Sequence, residues 1–110
     1  FRKVIGIDDG SIAVAGKGVQ EVDWVAGMFL LLPTNVFNDV GGFDEGFFLY
    51  YEDVDLCARL WQNGRRVVVD SDVGVIHFAQ RQSRRNLRYM RWHIFSMFRY
   101  MVKHSWRLPR

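Results

Sequence analysis

The 110 residues of this chain suffice for one domain, and a hydrophobic content of 49%, with nine Phe and four Trp, excludes a disordered polypeptide. No apolar run approaches the roughly 20 residues of a membrane-spanning helix, and a single cysteine excludes an internal disulfide, which fits a reducing compartment. The net charge of +3 is divided unevenly: residues 1–80 hold all 12 acids and six Lys/Arg, a balance of −6, whereas residues 81–110 hold nine Lys/Arg and no acid, a balance of +9.

In chain order, the Gly-rich start gives a short strand near Lys3–Ile7 and then a loop. Val22–Leu32 reads as a buried strand in which Gly27 marks a close backbone approach. Pro33 ends it, Thr34 caps a short helix over Asn35–Val40, and Gly41 terminates that helix. Gly42–Gly46 is a turn, and Glu52–Asn63 is a helix stopped by Gly64. Arg66–Asp70 and Gly74–Phe78 are short β-rich runs, and Ser83 caps a long helix that reaches His104. The fold class is therefore mixed α/β.

Glu52, Asp53 and Asp55 open the second helix. Acids in a first turn meet unpaired N–H groups and the positive end of the helix dipole, for about 0.3–1 kcal/mol each. Asp55 also precedes Arg59 by four residues, the spacing of a helical ion pair. At about 100° per residue, Leu56, Cys57, Leu60 and Trp61 form the apolar stripe of this helix. Cys57 on that stripe reads as an inert buried thiol. Asp53 projects onto the middle of the stripe and Asp55 onto the opposite side. An unpaired buried carboxylate is costly, so Asp53 either has a partner or faces a cleft at the helix end. At a cleft, beside Phe and Tyr, it is a candidate general base. His77 ends the apolar run Val73–Ile76 with no second ligand at zinc spacing, so a local zinc site is not expected. His93 and His104 read as surface residues of the basic helix.

Four stretches stand in order over Glu21–His77: Val22-Asp23-Trp24-Val25-Ala26-Gly27, Gly41-Gly42-Phe43-Asp44-Glu45, Tyr51-Glu52-Asp53-Val54-Asp55-Leu56 and Val75-Ile76-His77. Together they resemble the acceptor-binding half of family 2 glycosyltransferases, in particular the bacterial rhamnosyltransferase-like enzymes of cell-surface polysaccharide synthesis. The resemblance implies the C-terminal portion of a GT-A fold, in which a Rossmann-like sheet binds a nucleotide-sugar. It implies inverting transfer of the sugar to a hydroxyl of a saccharide or lipid-linked acceptor. It assigns Asp53 as the base, Glu52 to holding the acceptor, Trp24 and Gly27 to lining the acceptor pocket, and Asp44 to shaping the turn beneath it. It places His77 toward a Mg²⁺ or Mn²⁺ ion that neutralises the diphosphate leaving group. The family's donor half, with its Asp-x-Asp motif, has no counterpart here. Asp8-Asp9-Gly10-Ser11 resembles an early family motif only superficially, because it lies too close to the later ones. Residues 1–80 thus read as the acceptor-side part of a catalytic domain and 81–110 as a helical tail. This piece alone is expected to bind donor weakly or not at all and to be inactive.

Along the tail, Leu87, Met90, Ile94, Phe95, Phe98, Met101 and Val102 recur at helical spacing, with Arg85, Arg88, Arg99 and Lys103 on one flank. The core is expected to claim part of the stripe and to leave those four basic residues exposed. A basic amphipathic helix suits either packing on the body or an anionic membrane surface. No nucleic-acid module surrounds it, so nucleic acid is not expected as a partner. A homodimer stays open, and the expected location is cytoplasmic, peripheral at the inner face of the membrane. The rival to the enzyme is a non-catalytic module for membrane-surface or partner binding that kept the fold. Asp53 and His77 in one open cleft would favour the enzyme; Asp53 sealed in an ion pair would favour the module.

Overall fold

A computed structural model describes residues 18–74, 76 and 86–110. The element order is β1 (Val19–Glu21), α1 (Thr34–Asp39), α2 (Glu52–Gln62), β2 (Val68–Asp70) and α3 (Leu87–Lys103). The class is mixed α/β. β1 and β2 pair antiparallel, with Val19 opposite Asp70 and Glu21 opposite Val68. The ribbon is extended at one end by Val22 N–H donating to the Val67 carbonyl and at the other by Ser71 donating to the Gly18 carbonyl. Such a short two-stranded ribbon is marginal by itself; Arg66 and Arg110 tie Glu21 of β1 to more distant parts of the chain.

All three helices stop by the same device. In α1, Gly41 N–H donates to the Asn38 carbonyl and Gly42 N–H to the Phe37 carbonyl. Gly64 and Arg65 repeat the pattern on Trp61 and Leu60 of α2, and Ser105 and Trp106 repeat it on Val102 and Met101 of α3. Gly41 and Gly64 stand in the left-handed region as expected, at φ +81° and +70°. Starts are less regular. α1 begins one residue early, with Pro33 rather than Thr34 at the cap and no capping side chain. α2 is entered from two consecutive left-handed tyrosines, Tyr50 at φ +68° and Tyr51 at +67°, a backbone that costs L-residues roughly 1–3 kcal/mol each.

Further sequence expectations fail. Val22–Leu32 is not a strand: after Val22 the chain leaves the ribbon, and Leu31 is 92% exposed. The apolar run has the propensity, but beyond Val22 it pairs with no strand among the described residues. Instead it borders an open cavity of about 580 Å³, whose other walls are Leu56, Cys57 and Leu60 of α2 and Val67–Val69. The long helix is capped by Asn86, whose side chain accepts the Arg88 N–H, and not by Ser83. Ser83, the strand near Lys3–Ile7 and most of Gly74–Phe78 lie outside the described residues.

The core sits between α2 and α3. Phe47, Ala58 and Tyr100 are its buried centre, with Tyr51, Val54 and Met101 packed against them. Ser96 Oγ donates to the Leu49 carbonyl at 2.7 Å. α3 turns Ser96 and Tyr100 inward and leaves Leu87, Ile94, Phe95, Phe98 and Val102 outside. Of the basic flank, Arg88 is exposed as expected and Arg85 lies outside the described residues, whereas Arg99 and Lys103 are drawn into ion pairs. Arg99 pairs with Asp44, and Lys103 pairs with both Asp44 and Asp55. The core thus claims only Met101 of the expected stripe, and the ion pairs of Arg99 and Lys103 lie on the side of the helix that faces the body.

Candidate functional site

The start of α2 places Glu52, Asp53 and Asp55 on different sides of one turn. Asp53 Oδ2 accepts the Gly27 N–H at 2.7 Å, and Oδ1 accepts the Val54 N–H at 2.8 Å. The close approach expected at Gly27 is present: a Cβ there would lie 3.3 Å from Asp53 Cβ. Glu52 is half-buried, and its Oε2 is buried with no hydrogen-bond partner among the described residues. Burial raises the Glu52 carboxyl above its ordinary pKa against an opposing backbone hydrogen bond, and the adjacent Asp53 charge adds to the rise. Cys57, one turn on, is buried, and burial pushes its thiol up as well, consistent with an inert thiol.

Asp55, not Asp53, is the sealed acid. It is 0% exposed and is met by Arg59 Nε, Lys103 Nζ and His104 Nε2, each at 2.8 Å. Burial alone would raise its pKa, but the hydrogen bonds from Lys103 and His104 and the charge of Arg59 outweigh it and hold the carboxyl below the usual carboxylate range. The expected i,i+4 pair with Arg59 is present, and Arg59 Nη1 also donates to the Val40 and Gly42 carbonyls at the end of α1. His104, expected at the surface, is buried, with its other ring nitrogen 3.1 Å from Gln62 Nε2. His93 likewise is half-buried, against the rings of Tyr50 and Tyr51. The helical projection failed at Asp55 because it allowed α2 one inward side; α3 covers the second.

Asp44 accepts the Gly46 N–H at 2.8 Å and so shapes its turn, and it pairs with Lys103 Nζ at 2.6 Å and Arg99 Nη2 at 3.1 Å. The Lys103 hydrogen bond, with the Gly46 N–H, holds Asp44 far below the usual carboxylate range. Gly46 makes this possible, because a Cβ there would overlap the Arg99 guanidinium. Tyr100 stacks on His104, and burial, reinforced by the Asp55 charge, pushes its hydroxyl up to about 12.

The structure therefore brings Glu52, Asp53 and Gly27 together. Asp44 belongs to the ion network on the α3 side, and Trp24 is partly exposed three residues before Gly27. His77 lies outside the described residues. Among the described residues no three of His, Cys, Asp or Glu converge to hold a metal ion. Sequence reasoning missed Lys103 and His104 as partners of Asp55. The only signal was charge balance, an acid-rich body beside an acid-free tail.

No family model matches the chain, and no solved structure matches it. Curated relatives do. The rhamnosyltransferase WbbL of Escherichia coli is 42% identical over 83 residues, which is 74% of this chain and 31% of that protein. The N-acetylglucosaminyl-diphospho-decaprenol L-rhamnosyltransferase of Mycobacterium tuberculosis is 36% identical over 94 residues, 82% of this chain and 31% of that protein. A low-salt glycan biosynthesis hexosyltransferase of Haloferax volcanii is 30% identical over 67 residues, 59% of this chain and 22% of that protein. The chain spans about a third of the length of the relatives it matches. It is a segment of a rhamnosyltransferase-like glycosyltransferase.

Proposed function

We propose that this segment forms the acceptor side of an inverting, family 2 glycosyltransferase of GT-A fold. The enzyme moves a sugar from a nucleotide-sugar to a hydroxyl of a saccharide or lipid-linked acceptor during cell-surface polysaccharide synthesis. The name of the mycobacterial relative, with its diphospho-decaprenol acceptor, supports the lipid-linked alternative. The observation that carries the reading is the setting of Asp53. Its carboxylate is held by two backbone N–H groups, has no ion pair among the described residues, and stands beside Glu52, whose Oε2 is buried without a hydrogen-bond partner among the described residues. A base held that way has a fixed direction and keeps lone pairs free for a proton.

In this reading Asp53 takes the proton of the acceptor hydroxyl as that oxygen bonds to the anomeric carbon. The bond from that carbon to the diphosphate oxygen breaks, the nucleoside diphosphate leaves with the electron pair, and the configuration inverts. Positioning and proton transfer each contribute, the latter about 10²–10⁴-fold. Glu52 and Trp24 contact the acceptor, and Gly27 orients the base. A divalent ion would ease departure of the diphosphate. Among the described residues no ligand set for it converges.

The test is Asp53→Asn in an enzyme of the relatives' full length. Asn keeps an oxygen for the Gly27 N–H, so the fold should survive. Turnover should fall ~100-fold or more, the range for a lost general base. A well-folded variant with near-normal turnover would sink the assignment.

A further inference from the structure

We propose that the outward face of α3 docks on an anionic phospholipid bilayer. The helix lies in the interface, with its apolar side chains among the acyl chains and its arginines at the headgroups. The inference is independent of sugar transfer and rests on how α3 is turned. At 100° per residue, Leu87, Met90, Ile94, Phe95, Phe98 and Val102 fall in one arc about 140° wide. All six are exposed, from 42% for Met90 to 81% for Leu87. A surface helix normally turns such an arc into its own protein. α3 instead buries Ser96 and Tyr100, takes only Met101 of this arc to the core, and holds that orientation through the Leu49 carbonyl and the ion pairs of half-exposed Arg99 and Lys103 with Asp44 and Asp55.

Charge decides what covers the face. Arg91 projects into the apolar arc and Arg88 onto its edge. Arg91 and Arg107 have no ion-pair partner among the described residues, and Arg88 only stacks on Trp92, 5.1 Å from the ring centroid. No acid occurs anywhere from Arg81 to Arg110. A second copy laid on this face by two-fold symmetry would bring its own Arg88 and Arg91 into the same interface, and neither helix has an acid to offset them. An anionic bilayer supplies both apolar depth and negative charge, and arginine stems reach from one to the other. No described helix is long and apolar enough to cross a membrane, so α3 would lie along the surface.

Co-sedimentation of the full 110-residue chain with phosphatidylcholine vesicles, and with vesicles rich in phosphatidylglycerol, tests the proposal. Strong uptake is expected only on the second. The double variant Phe95→Ser/Phe98→Ser alters exposed side chains, so its unfolding midpoint should not drop, yet it should lose uptake at both low and high salt. Arg88→Gln/Arg91→Gln should weaken uptake about tenfold or more at low salt, at about 1 kcal/mol per basic residue, and less at high salt. Unchanged uptake by the phenylalanine double variant would reduce the contact to general tail charge and overturn the proposal. So would equal uptake on both vesicle types, or none on either. Self-association of the chain that the phenylalanine variant abolishes, without vesicle uptake, would assign the face to a second copy and also overturn it.

Discussion

Glu52 carries a carboxyl oxygen buried without a partner among the described residues, and its pKa is raised by that burial. Folding therefore favours its protonated form. The stability this provides is fully present below the ordinary pKa of 4.5 and is lost as pH rises through the higher folded value. Glu52→Gln removes that loss. The urea midpoint of the variant should exceed that of the wild type at pH 7, and the two should converge toward pH 4. In a full-length enzyme the same change should slow transfer, as expected where a site retains an unfavourable group for function. A lower midpoint at pH 7 would mean that the carboxylate has a stabilising partner. At this scale the sequence was half legible. Gly27 stood out because it interrupts an apolar run, but that Asp53 is what approaches it came only from the structure. Asp55 could not be placed from its helix alone, because the residues that bury it come from α3, 48 and 49 positions later.

The three helix endings share one hydrogen-bond pattern, but only two use glycine at the left-handed position. α3 uses Ser105, at φ +52°. Left-handed backbone costs an L-residue roughly 1–2 kcal/mol, partly offset by the unfolded-state entropy of glycine. Ser105→Gly should therefore raise the unfolding free energy by up to about 1 kcal/mol, read as a higher thermal midpoint. A drop would show that the Ser105 side chain makes a contact worth more than the strain. The helices themselves were legible because caps, stops and periodicity are local. The strand expected over Val22–Leu32 was not, since strand formation depends on a partner edge, which no local pattern reveals. For α3 the spacing of apolar residues revealed a face but not its direction. Asp44 and Asp55 chose the direction by pairing with Arg99 and Lys103 on the other side.

Across the whole molecule, Lys103 joins the turn at Asp44 to α2 at Asp55, with Nζ 2.6 and 2.8 Å from the two carboxylates. Both acids are held below their ordinary pKa of 3.8. Their contribution to stability is therefore complete above about pH 4 and is lost as pH falls through the depressed folded values. Unfolding free energy should accordingly fall with acidification below about pH 4. Lys103→Met should cost about 1–2 kcal/mol at pH 7, discounted for partial exposure, and should flatten that acid slope. An unchanged slope would assign acid sensitivity to other groups. The same bridge sets an order in time. At about 5–20 residues per second, α2 is synthesised roughly 2–8 s before Lys103 and His104. During that interval Asp55 has Arg59 beside it and neither of its two later partners. The nascent α2 therefore keeps this carboxylate in water, and the core around Tyr100 closes only when the end of α3 arrives.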